Sequence, residues 1–156
     1  MATANYNAVS YGTIGGQGFS QLHIPVSSSF EIKQGELVYL DVAAGLGKPV
    51  ASDANVAVLM GVALQPSKVS SNLDNSTAPA EKTVMVGWDL VAMLKTTAAE
   101  VYNYGEVVYL GADAQTVTVV VGTNSIGRVI LPAGVTSVTG AANVLVPVYV
   151  KNNAGL

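Results

Sequence analysis

Cysteine is absent from the 156 residues. That excludes a disulfide framework, a thiolate nucleophile and a cysteine-held zinc site. Charge is scarce as well: Asp, Glu, Lys and Arg make up 11% of the chain, where soluble domains carry roughly 25%. Seven basic and ten acidic residues give a net charge of −3. With no basic run, this argues against a protein that neutralises many phosphates of a nucleic acid. No apolar run approaches the ~20 residues of a helical membrane span. The opening residues, MATANYNAVSYG, lack the basic start and apolar stretch of a secretory leader. Synthesis in the cytoplasm, with no nucleic-acid and no membrane partner, is the expectation.

Catalytic signatures are missing too. The single histidine, His23, lies in SQLHIPV, and no G-x-S-x-G elbow exists to use it. GLGKPV has Val42 where a phosphate loop needs its first glycine, and GTIGGQGFSQ has Gln21 where a dinucleotide fingerprint needs its third. Asp41, Asp53, Asp74, Asp89 and Asp113 are dispersed, and NLDNS lacks the alternating ligand spacing of a calcium loop. No catalytic residue, metal site or cofactor is expected, and the chain does not read as an enzyme.

What is present is β texture. Valine is abundant and turn residues recur at short intervals from Glu31 onward. In ELVYLDV, Val38 and Leu40 alternate with Leu37 and Tyr39, and TVTVVV and VLVPVYV alternate likewise. Further strands are predicted at about 56–65, 83–95 and 126–131. Pro147 suggests an edge or bulged strand. The best helix candidate is TTAAEVYNY, 96–104, and 65–83 reads as a long polar loop.

One hexapeptide recurs. GELVYL at 35–40 returns as GEVVYL at 105–110, 70 positions later. Each copy follows a polar turn. Each precedes a glycine-centred apolar strand, VLMGVAL or SIGRVIL, and then a valine-alternating strand, TVMVG or VLVPV. Each half is thus expected to supply matching strands to one closed sheet, because pairing removes exposed edges. The fold expected is all-β: a small β-barrel built from two similar strand sets over 31–156, as a single domain. Residues 1–30 are expected to form an extended N-terminal arm.

Long tracts hold no charge: 1–30, 54–67, 114–127 and 132–150. Isolated domains spread charge over their surfaces for solubility, so these tracts suggest faces covered by other chains. Candidate interface residues are the arm's Tyr6, Tyr11, Phe19, Leu22 and Phe30, with Tyr102 and Tyr104 beside the second repeat's turn. Trp88 reads as a core plug in preference to an interface anchor.

The order Gly35-Glu36-Leu37-Val38, Gly61-Val62-Ala63, Val84-Met85-Val86-Gly87, Gly105-Glu106-Val107-Val108-Tyr109 and Ile126-Gly127-Arg128-Val129 resembles the capsid cement, or head decoration, proteins of tailed bacterial viruses. The resemblance covers about 31–151, and the order and spacing of the motifs carry it. It implies a tulip-like barrel that assembles as homotrimers on the capsid exterior and clamps neighbouring copies of the major capsid protein after the shell expands. The longer arm and the enlarged 65–83 loop depart from that pattern. The alternative is a β-rich carbohydrate- or host-binding surface module of a virion, for which 102–113 would supply an aromatic flanked by Asp and Asn.

Overall fold

A computed structural model describes residues 9–12, 20–26, 29–50, 58–69 and 82–151. Among these residues there are fourteen strands and no α-helix. The first half holds β1 (Val9–Gly12), β2 (Ser20–Val26), β3 (Leu37–Asp41), β4 (Leu46–Pro49), β5 (Leu59–Ala63), the short β6 (Lys68–Val69) and β7 (Lys82–Trp88). The second holds β8 (Leu90–Thr96), β9 (Val101–Asn103), β10 (Val107–Leu110), β11 (Thr116–Thr118), β12 (Ser125–Val129), β13 (Ser137–Thr139) and β14 (Leu145–Val150). Their β-branched and aromatic content suits a pleated, buried surface.

The two halves do not share one closed sheet, as the repeat suggested. Each closes its own. In the first, β2-β4-β3-β5-β7 is shut by pairing of β2 with β7. In the second, β8-β11-β10-β12-β14 is shut by pairing of β8 with β14. The architectures match strand for strand, including the parallel pairs β2–β4 and β8–β11. The reason for the difference is strand count. The sequence repeat exposes three strands per half, too few to close a ring. The missing members are short β4 and β11, and the leading strands β2 and β8, which share no obvious sequence.

The single strand predicted at 83–95 is two. Asp89 adopts φ 56°, a left-handed conformation that Asp tolerates better than most residues. It ends β7 in one ring and begins β8 in the other. The arm expected over 1–30 is extended where described, but Ser20–Val26 closes the first ring, with Ile24 and Val26 buried. A domain boundary at residue 30 therefore cuts through that ring. The backbone of β1 lies along β8.

The repeated hexapeptide builds the same turn twice. Gly35 and Gly105 sit at φ 85° and 79°, a region open to glycine at little cost. Each glycine N–H donates to the neighbouring strand of its ring, Gly35 to the Ala63 carbonyl of β5 and Gly105 to the Val129 carbonyl of β12, both at 2.8 Å. The next residue supplies a carboxylate that caps the turn. Glu36 Oε2 accepts the Lys33 N–H at 2.8 Å, and Glu106 Oε2 accepts the Asn103 N–H at 2.8 Å. The Gly-Glu pair is thus a structural device that launches β3 and β10.

A second pair of glycines marks a bulge in each ring. Register shifts between Val38 and Tyr39 opposite Gly61, and between Val108 and Tyr109 opposite Gly127. A Cβ on Gly61 would lie 2.1 Å from the Gly87 carbonyl oxygen, and one on Gly127 would lie 1.9 Å from that of Tyr149.

Apolar packing joins the halves. One cluster fills the first ring and contains Ile24, Ile32, Val38, Met60, Val84 and Val86. The larger cluster fills the second ring with Leu94, Val108, Ile126, Val146 and Val148. It also takes in Leu37, Val50, Leu59, Val62 and Leu64 from the outside of the first. Hence Leu37 and Val38, adjacent on β3, are both fully buried: each faces a different core.

Two local expectations are corrected. The 96–104 segment is strand, turn and strand, with Ala99 at φ 66°. Pairing of Lys95 with both Leu145 and Thr116 holds the chain extended where local propensity alone is indifferent. Pro147 is not on an edge, since β14 pairs with both β8 and β12. Its missing N–H falls where the β12 ladder ends, beside Ile130, which donates to the Pro147 carbonyl at 2.9 Å.

Gly61→Ala and Gly127→Ala should each destabilise the chain by about 3 kcal/mol or more, the upper range for forced overpacking. Gly45→Ala, whose Cβ would meet nothing within 4 Å but whose φ is 67°, should cost only about 1–2 kcal/mol. Chemical denaturation of the three variants checks the order.

Candidate interaction surface

The two rings can be matched by register. Leu37 opposes Val62 as Val107 opposes Arg128, and Tyr39 opposes Leu59 as Tyr109 opposes Ser125. Val62 opposes Gly87 as Arg128 opposes Tyr149. The outer face of the first ring, Leu37, Leu59, Val62 and Gly87, therefore corresponds to Val107, Ser125, Arg128 and Tyr149 on the second.

These equivalent faces have opposite fates. The first is covered inside the chain. The Leu37 N–H donates to the Ala114 carbonyl at 2.7 Å, and Ala114 and Gln115 in the β10–β11 connection are buried, as is Thr116 at the start of β11. Val50, which donates to the Leu37 carbonyl at 2.9 Å, is 1% exposed. The second face is open. A hollow of about 290 Å³ there is lined by Val107, Ser125, Gly127, Arg128, Tyr149 and Lys151. Counting along the β10–β11 ladder from Tyr109 opposite Thr118, the counterpart of Val50 is Val120, which is 66% exposed. Val121 beside it is exposed too.

Side chains around the hollow are tied back to the barrel. Arg128 Nη1 donates to the Gly105 carbonyl at 2.8 Å. The Tyr149 hydroxyl donates to Asp89 Oδ1 at 3.0 Å, and burial, followed by that carboxylate, raises its pKa. Two cations, a hydroxyl and a phenol ring on apolar walls make a contact surface with hydrogen-bonding capacity. Among the described residues no group of three or more His, Asp or Glu side chains could hold a metal ion. His23 is exposed on β2 with Met85 opposite it.

The residues singled out from sequence divide. Tyr6 and Phe19 lie outside the described residues, and Tyr11 is described only as β1 backbone. Leu22, Phe30 and Tyr104 are exposed. The Phe30 ring has Lys48 Nζ 5.5 Å from its centroid, within cation–π range. Lys48 also pairs with Asp41, which holds the lysine pKa up and the Asp41 pKa down. Tyr104 shares the β9–β13 ribbon with exposed Val101 and, through its N–H to the Thr136 carbonyl at 3.0 Å, with the loop carrying Val135. Trp88, read as a core plug, is half-buried at the end of β7.

Tyr102 is a correction. It is fully buried and cannot meet a partner. Three residues before Gly105, it takes the place that Ile32 takes before Gly35, plugging the second ring as Ile32 plugs the first. Its phenol oxygen accepts the Thr97 N–H at 2.8 Å and lies 2.7 Å from the Val117 carbonyl and 3.0 Å from Glu100 Oε2. Glu100 also accepts from Thr118 Oγ1 at 2.6 Å and the Val119 N–H at 2.9 Å. The acids near Tyr104 are committed as well. Glu106 Oε2 holds Asn103, and Asp113 Oδ1 accepts from the Gln115 N–H and Thr116 Oγ1, both at 2.9 Å. In 102–113, considered for an aromatic flanked by Asp and Asn, Tyr104 and Asn103 are exposed, whereas Tyr102 is buried and Asp113 is engaged within its own turn.

Comparison with models of protein families gives no match, and comparison with curated proteins and with solved structures gives no significant one.

Sequence reasoning missed Ser125, Arg128, Tyr149, Lys151 and Val120 as surface residues. The signal was available for the first four, which are where the second repeat departs from Leu59, Val62, Gly87 and Asp89 of the first; Val120 repeats Val50 and carried none.

Burial, chiefly, pushes the Tyr102 phenol up to about 12, against about 10 in an unfolded chain. Its neutral form is favoured by folding, so its contribution is complete below pH ~10 and is lost as pH rises from ~10 towards 12. Tyr102→Phe should cost about 1–3 kcal/mol at neutral pH, because Thr97 N–H and Glu100 lose a buried partner. It should also flatten the fall in stability above pH 10. Denaturation curves at pH 7, 10 and 11.5 read both effects.

Proposed function

We propose that the protein is a structural decoration protein of a viral capsid. It binds the shell's exterior and stabilises contacts between major capsid subunits, and it works as a trimer. The observation that carries this reading is the pairing of a doubled barrel with a charge-poor, partly apolar exterior. Leu22, Phe30, Val42, Val101, Tyr104, Val120, Val121 and Val135 are all exposed, in a chain with long tracts free of charge. Exposed apolar residues of this kind, where they gather into a patch, mark contact with other macromolecules. The motif order that resembles capsid cement proteins supports a shell as the partner.

The mechanism is mechanical. Each ring is closed, so it offers no long free edge to wander into aggregation. The tightly joined rings then act as one strut. Exposed aromatics bury apolar area against the shell at ~25 cal/mol per Å², and repetition in a trimer multiplies weak contacts through effective concentration.

The test is addition of the purified chain to expanded shells that lack it. Saturable co-sedimentation and a raised shell melting temperature are expected. Phe30→Asp combined with Tyr104→Asp should reduce occupancy at least tenfold, about 1.4 kcal/mol. Absence of binding by the folded wild-type chain would remove the capsid reading.

A further inference from the structure

The join between the two rings is head-to-tail. Leu37, on the outer face of the first ring, meets the β10–β11 connection of the second with its N–H on the Ala114 carbonyl at 2.7 Å, and Leu59 and Val62 of the same face join the second ring's apolar cluster. Because the rings are built alike, each surface used in this contact exists a second time, unused. The second ring carries the matching face, Val107, Ser125, Arg128 and Tyr149, open around its hollow. The first ring carries the matching connection, the β3–β4 turn Val42-Ala43-Ala44-Gly45, whose four residues are exposed and uncharged. Val42 is 71% exposed. Register places Ala44 where Ala114 stands, since Leu40 and Leu110 end equivalent runs of the repeated hexapeptide.

We propose that copies of this chain associate head-to-tail through these two surfaces. The Val42–Gly45 turn of one copy seats against the β10–β12–β14 face of the next, and the contact repeats the join already made inside the chain. The counterpart of the Leu37–Ala114 bond is a Val107 N–H donating to the Ala44 carbonyl of the neighbouring copy. Val120 is buried against the neighbour as Val50 is buried within the chain. A contact between unlike patches propagates, closing into a ring of copies or growing as a filament. It is weaker than the internal join, because Ser125, Arg128 and Tyr149 replace Leu59, Val62 and Gly87. Other occupants of the hollow, such as an unrelated protein, have no matching surface in this chain to recommend them. The inference rests on the internal join and stands or falls independently of the capsid reading.

Heterologous contact makes a distinctive prediction for mixtures. Wild-type full-length chain, measured by light scattering up to about 100 μM, should show a mass that is a multiple of 15.9 kDa, and so reads any contact with a Kd below that concentration. Val120→Glu spoils the face and leaves the turn intact; Ala44→Glu spoils the turn and leaves the face intact. Each variant alone should weaken association at least tenfold and keep the wild-type circular dichroism, both sites being exposed. Mixed one to one, they should form a two-copy species and nothing larger, because only one good contact is possible between them. A wild-type chain that stays at a single copy overturns the proposal. So does either variant retaining the wild-type mass, or a mixture that fails to pair while the wild type associates.

Discussion

A carboxylate placed three residues after the backbone N–H it caps sets the geometry of each ring. Glu36 and Glu106 hold the turns that begin β3 and β10, and the glycine before each donates its N–H to the adjacent strand. An acceptor charge on a backbone donor is roughly twice as strong as a neutral pair, and Glu36 is buried among its partners. With that corner fixed, the bulge opposite Gly61 or Gly127 falls at a set distance along the strand. The bulge bends the sheet enough to close with five members. The remaining packing fills a volume that these two devices define.

Closing each ring separately creates a problem that the chain solves by asymmetry. A five-stranded barrel has an outside as well as an inside, and the outside of the first ring is as apolar as a core. Leu37, Leu59 and Val62 would cost several kcal/mol if left in water. The second ring covers them, and its own equivalent face has Ser125 and Arg128 instead. One repeat has been specialised for burial and the other for exposure, on the same scaffold. Val50 and Val120 show where this specialisation stops, because the same residue is buried in one ring and exposed in the other. A solvated valine gains nothing from that position alone.

The β class, most strand positions and the duplication were legible in the residues, because period-two alternation and the Gly-Glu turn are local signals. Closure was not. The strands that shut the rings, Ser20–Val26 and Leu90–Thr96, have no common sequence, and one lies in a stretch whose lack of charge reads as an arm. Tyr102 misled for a related reason. A tyrosine next to exposed Tyr104 looks like part of an aromatic patch, yet strand alternation turns it inward, where Thr97, Val117 and Glu100 satisfy its hydroxyl. The open face was hidden because its residues are unremarkable singly. They become informative only when paired with their counterparts through the sheet register.

By itself the sequence determined the local grammar: two Gly-Glu turns, two bulge glycines, valine-rich strands, and a surface poor in charge. These depend on φ preference, side-chain volume and hydration, all properties of short stretches. Tertiary structure decided how many sheets those strands make, which tyrosine is core, and which of two equivalent faces meets water. Those outcomes follow from pairing between segments tens of residues apart, where burial by a distant neighbour outweighs what any residue prefers alone.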